Sequence, residues 1–285
     1  MKKASGLIAA VIIVKNEAHA IFEWLAHHAS IGVDQFIIYD NGSTDTTVDQ
    51  IRSFPDQKRI RLINWPMEFG QMPAYQNALM RFGRRFKWMA FIDADEFFIP
   101  LQHETLPEIL ADFENDDGLI VPWTLFGSSG HVTRPGGLIL ESYTHRAADD
   151  FDVNRHTKCI IKPSGIAGPT ITPHNFIPLH PRGLVREDHV AIDHDTSQLP
   201  ETFVPQRLRL HHYVVQSRED FANKQARGLA TRSDPRDNSF FDIHDQNVVE
   251  DVTALRFVAA IREWQMRRLP ARRRFGWLRR RPRGV

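Results

Sequence analysis

Three acids interrupt an otherwise apolar run, where Trp88-Met89-Ala90-Phe91-Ile92 leads into Asp93-Ala94-Asp95-Glu96-Phe97-Phe98. A run with aromatic and β-branched members reads as a buried strand. Ionised carboxylates are costly in such surroundings unless a cation pairs with them. Side chains alternate along a strand, so Asp93 and Asp95 are expected on one side and Ala94 on the other. Two carboxylates converging at a strand's carboxyl end suit a hard divalent cation, and open α/β sheets bind ligands at that edge. The plainer reading of Asp-Ala-Asp-Glu is a turn with helix-capping acids.

Two further constellations join it. In Asp40-Asn41-Gly42-Ser43-Thr44-Asp45, a carboxylate leaving a strand can accept hydrogen bonds from a ribose hydroxyl or a base N–H. Gly42 allows close backbone approach. Ser43, Thr44 and Asp45 suit the cap of the helix that follows, so Asp40 is assigned to ligand and Asp45 to structure. Lys15-Asn16-Glu17 ends the first strand at the same edge. Glu17 suits a ribose or base there, and equally an acid at a helix start. Downstream, residues 208–224 contain His211-His212. Adjacent strand residues point in opposite directions, so one imidazole can face the carboxylates, and such a set favours Mn²⁺ over Mg²⁺. With 14 histidines in the chain, any one of them is more often solvated or hydrogen-bonded than a ligand.

The elements that must position these groups alternate. Strands are expected at 7–14, 35–39, 60–65 and 88–92, with helices at 16–30, 46–54 and 74–86. Repeated β-α-β units of this length imply an α/β fold with a mainly parallel sheet and helices on both faces. Beyond residue 100 the pattern loosens: a helix at 106–113, strands at 119–124, 158–162 and 208–215, and a helix at 218–230. Ser217 and Asp220 form an approximate capping box for that last helix. Residues 127–137 read as a loop over a site, and 163–205 as irregular surface. Residues 245–269 read as a long helix with Val248, Val252, Leu255, Val258 and Ile261 on one face.

Composition bounds the rest. The chain has 285 residues, 42% apolar and 25% charged, which suits one large globular domain. We delimit it as residues 1–266, with a nucleotide-binding half to about 100, an acceptor and metal half to about 232 and a helix at 245–266. The single cysteine, Cys159, excludes an internal disulfide framework and suggests a reducing, cytoplasmic setting. The apolar N-terminal stretch runs straight into Lys15-Asn16-Glu17 and reads as a strand, not a secretion signal. After Glu263 the chain has nine arginines and no acid, so the preceding body holds 27 basic against 35 acidic side chains. The arginine-rich tail at 267–285, with Phe275 and Trp277, suggests peripheral contact with an anionic membrane. It has no recognisable nucleic-acid motif, and no nucleic-acid partner is expected.

Taken in order, these blocks resemble a glycosyltransferase with the GT-A fold, of the family 2 and family 92 kind. The resemblance runs through Val14–Glu17, Glu23–His28, Gly32–Asp34, Ile38–Asp45, Gln76–Ala78 and Trp88–Phe97, with Trp123-x-x-Phe126-Gly127-Ser128 a weaker link. The block Arg209–Lys224 resembles the family's closing His-Tyr-x-x-x-Ser-x-x-x-Phe segment and places His212 on its histidine. The resemblance implies a nucleotide pocket of Lys15, Glu17, Asp40 and Asp93. It implies a metal site of Asp93, Asp95 and His212 holding Mn²⁺ or Mg²⁺, and a nucleotide-sugar donor, UDP-linked as a first choice.

An inverting enzyme also needs a carboxylate to deprotonate the acceptor hydroxyl. Glu187 and Asp188 resemble the family 2 Glu-Asp pair used for this, as do Glu219 and Asp220, although the latter sit in the capping box. Glu141 and Glu96 are alternatives. The acceptor, a glycan or a lipid-linked molecule, is expected to meet Trp123, His131 and His174. For Trp123, core packing is the competing assignment. A sugar-1-phosphate nucleotidyltransferase is a competing class, but it calls for a glycine-rich phosphate loop where this chain has Lys15-Asn16-Glu17. A non-enzymatic protein that binds anionic surfaces through the tail is another.

Overall fold

The computed structural model describes residues 7–102, 105–181, 183–193, 197–228, 237–268 and 270. Its first half follows the alternation: β1 (Ile8–Val14), α1 (Ile21–Ser30), β2 (Gln35–Asp40), α2 (Thr47–Arg52), β3 (Ile60–Asn64), α3 (Gln71–Phe82), β4 (Trp88–Phe91) and β5 (Glu96–Pro100). Then come α4 (Leu106–Leu110), β6 (Gly118–Leu125), α5 (Ile139–Ser142), β7 (His145–Arg146) and β8 (Thr157–Ile161). Four short strands follow, β9 (Ile166–Pro169), β10 (Phe176–Pro178), β11 (Leu184–Val185) and β12 (Ala191–Ile192). The described chain closes with β13 (Leu208–His212), α6 (Arg218–Arg227), α7 (Asn238–His244), β14 (Val249–Glu250) and α8 (Val258–Met266).

One ten-stranded sheet runs β12-β11-β6-β8-β4-β1-β2-β3, and β13 adds on by pairing with β5 and β6. The stretch β4-β1-β2-β3 is parallel, while β8 is antiparallel to both β4 and β6. In β1 the period of two sends Ile8, Ala10, Ile12 and Val14 to a core shared with α1, α2, α4 and α8. Ala9, Val11 and Ile13 face a second core with α3. Burial on both faces explains why these strands read as continuous apolar runs.

Helix α1 is fastened to β5 by its polar residues as well as its apolar ones. The indole Nε1 of Trp24 donates to the carbonyl of Glu96 at 3.0 Å, and His27 Nε2 donates to the carbonyl of Phe98 at 2.7 Å. His28 Nδ1 donates to the Trp24 carbonyl at 2.8 Å, and its Nε2 accepts from the Phe98 N–H at 3.3 Å. Both imidazoles are fully buried.

Several expectations are corrected. The first helix begins at Ile21, not at residue 16: Asn16 takes a left-handed backbone (φ 55°), and its side chain is spent on the next loop. The run at 88–98 is not one strand. It breaks at 92–95, and Asp93 and Asp95 lie in the turn between β4 and β5. The strand expected at 208–215 stops at His212. The region 163–205 contains β9 to β12 and is less irregular than its composition suggests.

The long helix over 245–269 is the largest correction. Asp245 and Asn247 accept the N–H groups of Ser128 and Ser129 at 2.6 and 2.7 Å, and Val249–Glu250 pairs with β7. A helix would forfeit both sets of bonds. α-Helix is confined to Val258–Met266, preceded by a 3₁₀ turn at Thr253–Phe257, so Val248 and Val252 of the apparent stripe are exposed, at 68% and 51%, and Ile261 is buried. The 127–137 loop is likewise tied down: its carbonyls at His131 and Val132 accept the first N–H groups of α6. Of the arginine-rich tail, Arg267 and Arg268 are described, and the other arginines lie outside the described residues. Among the described residues no helix is long and apolar enough to cross a membrane.

The segment before α8 is held by a buried charge cluster. Arg146 Nε and Arg209 Nη1 both donate to Asp251 Oδ2, at 2.9 and 3.0 Å. Breaking a buried pair leaves an uncompensated charge, so Asp251→Asn is expected to cost on the order of 3 kcal/mol in urea unfolding. A loss below about 1 kcal/mol would contradict the role of this cluster. Burial also lowers His19, His27 and His174 to about 4, His211 to about 3, and His28 well below its ordinary value. The unfolded chain takes up these protons near pH 6.5 while the native chain stays neutral, so stability is lost as pH falls from 6.5 toward 4. Glu17, Glu23 and Glu96, raised by burial, oppose this but are fewer. Thermal unfolding at pH 7, 6 and 5 is expected to show a falling Tm; a constant Tm would contradict neutral burial of these rings.

Candidate active site

The turn after β4 brings Asp93, Asp95 and Glu96 together, and two buried lysines make that possible. Lys158, on β8, is fully buried and places Nζ 2.7 Å from Asp93 Oδ2 and 3.3 Å from Glu96 Oε2. Gln71, near the start of α3, donates to the other Asp93 oxygen at 2.9 Å. Glu96 Oε2 also accepts the Asp93 N–H at 2.8 Å, while its Oε1 has no partner among the described residues. Burial raises Glu96 to about 8 against the pull of Lys158, which keeps that carboxyl neutral near pH 7. Burial alone would deprotonate Lys158, but the Asp93 carboxylate beside it outweighs burial and holds the amine charged.

Asp95 has its own lysine. Lys224 of α6, almost wholly buried, donates to Asp95 Oδ2 at 2.6 Å and to the Val214 carbonyl at 2.8 Å. Asp95 Oδ1 lies 3.7 Å from His212 Nε2 at the end of β13. Asp95 therefore borders His212, with Asp93 two residues away in the same turn. Among the described residues, however, no three His, Cys, Asp or Glu side chains gather closely enough to hold a metal ion by themselves.

The loops after β1 and β2 are laced together beside this turn. Asn16 Oδ1 accepts the N–H of Thr44 at 2.8 Å and of Asp45 at 3.3 Å, and the Asn16 N–H donates to Ser43 Oγ at 3.1 Å. The Glu17 N–H donates to Thr47 Oγ1 at 2.7 Å. Asp45 accepts from the Thr47 N–H at 2.9 Å and from Ala18 N–H at 3.2 Å, so its carboxylate serves the backbone. Asp40, at the end of β2, accepts from the Ser43 N–H at 3.1 Å, and Gly42 takes a left-handed backbone (φ 76°). Lys15 is exposed, whereas Glu17 is buried, raised by desolvation, and ion-paired with Arg227.

The remaining expected site residues divide. Trp123 and His174 adjoin the cluster: the indole stacks on His156 at 4.8 Å, tilts against His212 at 4.1 Å and meets His174 edge-on at 5.4 Å. Three imidazoles already lie against the half-buried indole, so packing accounts for much of its surface. His131 is elsewhere, with Nε2 against the Ser142 carbonyl at 3.0 Å.

The structure brings none of the three leading base candidates to the carboxylate turn. Glu187 accepts the N–H groups of Gln206, Arg207 and Leu208 at the start of β13, four residues and roughly 13 Å of strand before His212. Asp188 is paired with Arg186 at 2.7 Å on the surface. Glu141 pairs with Arg262 of α8 at 2.5 Å. Asp220 gives its N–H to the α6 cap Ser217, and its carboxylate is held by Ser217, Arg134 and Tyr143.

Lys158, Gln71 and Arg227 carried no assignment from sequence. The first was detectable in principle, since a lysine opening the apolar strand Lys158-Cys159-Ile160-Ile161 must find a buried anion.

Known proteins are similar to this chain. The model of glycosyltransferase family 92 matches residues 8–194. A glycosyltransferase family 92 protein of Ricinus communis is 29% identical over 266 residues, covering 85% of this chain and 48% of its own length. One of Oryza sativa subsp. japonica is 28% identical over 159 residues, 54% of this chain and 26% of its own. The chain thus spans about half the length, or less, of these curated relatives. Solved structures overlap more distantly. S. aureus TarS in complex with UDP shares 14% identity at a TM-score of 0.38, over 55% of this chain and 47% of that one. Glucosyl-3-phosphoglycerate synthase from Mycobacterium tuberculosis in complex with Mn²⁺ and UDP-glucose shares 20% at 0.32, over 42% and 45%. With the family model matched from β1 through β12, well over half of its length, this chain belongs to glycosyltransferase family 92.

Proposed function

We propose that this chain transfers a sugar from a nucleoside-diphosphate sugar, a UDP-sugar as first choice, to a hydroxyl of a glycan or lipid-linked acceptor, with inversion and with help from Mn²⁺ or Mg²⁺. One observation carries the reading beyond family membership. The Asp93–Asp95 turn stands at the carboxyl end of β4, beside the Lys15–Glu17 loop of neighbouring β1 and the Asp40 loop of β2. Chain order reverses between β1 and β4, and open α/β sheets bind nucleotides at such a switch point. Asp40 and Glu17 suit the nucleoside, and the β4 turn suits the diphosphate.

The residues fit a divalent cation that completes its shell from the ligand. Asp95 Oδ1 and His212 Nε2, 3.7 Å apart, lie between the ~3.0 Å of adjacent and the ~4.2 Å of opposite ligands of one octahedral ion with bonds of ~2.1 Å. Asp93, two residues before Asp95, has a side chain 36% exposed. Diphosphate and water oxygens would supply the other positions, as magnesium-type sites commonly arrange. Such a cation would neutralise charge developing on the departing diphosphate. The chain's own residues hold the carboxylates in place: Lys158 and Gln71 orient Asp93, and Lys224 orients Asp95.

Calorimetric titration of the purified chain with UDP, with and without Mn²⁺, tests this directly. We expect Mn²⁺-dependent binding that weakens at least roughly tenfold in Asp95→Asn and Asp93→Asn, with folding checked by thermal melting. Absence of binding to UDP, GDP and other nucleoside diphosphates with either metal would overturn the proposal.

A further inference from the structure

Helix α6 spans the crevice between the ends of β1 and β4. Lys224 and Arg227, three residues apart, lie on one helix face. Lys224 reaches the β4 side, at Asp95. Arg227 reaches the β1 side, where Nη1 donates to the Lys15 carbonyl at 2.8 Å and the Asn16 carbonyl at 3.3 Å and pairs with Glu17. All of these contacts use Nη1. The guanidinium has five N–H donors in a planar fork, and those on Nε and Nη2 have no acceptor among the described residues. A planar fork with free donors, at the mouth of a nucleotide crevice, matches phosphate oxygens better than it matches a single carboxylate edge.

We propose that Arg227 is a diphosphate-binding residue of the donor site, while Lys224, whose Nζ is spent on Asp95 and on the Tyr213 and Val214 carbonyls, adds its charge from the same helix face. The inference rests on the donor being a nucleoside-diphosphate sugar. It assigns α6 a role in binding the donor, in addition to its packing role. On binding, the guanidinium would turn its unused N–H groups to the phosphate oxygens while Nη1 keeps its hold on the β1 loop. The alternative is that Arg227 only fastens that loop, which would affect every part of the nucleotide alike.

The test compares UDP with uridine on the full chain in the presence of Mn²⁺, using calorimetry for UDP and ligand-observed NMR for uridine. Arg227→Met is expected to weaken UDP roughly 10- to 100-fold, the effect of losing hydrogen bonds to a charged group, while uridine changes less than about threefold. Arg227→Lys keeps the charge without the fork and is expected to fall between. Equal weakening of UDP and uridine, or no weakening of either, would overturn the assignment, and thermal melting of each variant separates misfolding from lost contact. If the unmodified chain binds no nucleoside diphosphate, the proposed function falls as well. If it binds and Arg227→Met binds equally, only the role of Arg227 falls.

Discussion

Lys158 and Lys224 supply the positive charge that lets Asp93, Asp95 and Glu96 share one short turn at the edge of an apolar core. Two unit charges about 4 Å apart attract by ~4 kcal/mol at an effective dielectric constant of ~20, and each carboxylate has a lysine closer than that. Glu96 remains neutral because burial outweighs Lys158, so no third negative charge is forced into the turn. The lysines come from distant parts of the chain, β8 and α6, and both approach from the protein interior. Pairing therefore ties the antiparallel strand and the late helix to the N-terminal half. The turn is assembled only when all three segments are in place.

The surrounding framework is arranged to keep that turn still. Trp24, His27 and His28 anchor α1 to the backbone of β5, immediately after the turn. Asn16 stitches the β1 loop to the β2 loop with its own side chain, which requires the left-handed backbone that ends β1. Helix α6 closes the arrangement by bonding to the ends of both β1 and β4. A ligand entering the crevice would meet rigid backbone on two sides and a cationic helix face on the third.

Local pattern was a good guide where burial is two-sided and regular. The apolar runs of β1, β2 and β4, and Ser217 as the cap of α6, are legible because each depends on neighbours within a few residues. Pattern misled where distant hydrogen bonds outweigh periodicity. Val248, Val252 and Leu255 imitate a helical stripe, yet the surrounding backbone is claimed by β7 and the 127–129 loop. Glu187 and Asp188 imitate a catalytic pair, yet one caps the start of β13 and the other pairs with Arg186. Short acidic motifs look alike whether they serve backbone or substrate, since both uses need the same oxygen atoms.

The α/β class, the strands that end at the candidate site, and the carboxylates Asp40, Asp93 and Asp95 near those ends were legible in the amino-acid sequence. Those follow from period, turn chemistry and the cost of acids in apolar runs, all of which are local. Only the tertiary structure decided which cations offset those acids, that His212 but not Glu187 reaches the turn, and that α6 spans the crevice through Lys224 and Arg227. Charge pairing acts between residues up to 210 positions apart in the chain, and no local pattern encodes which partner comes within reach.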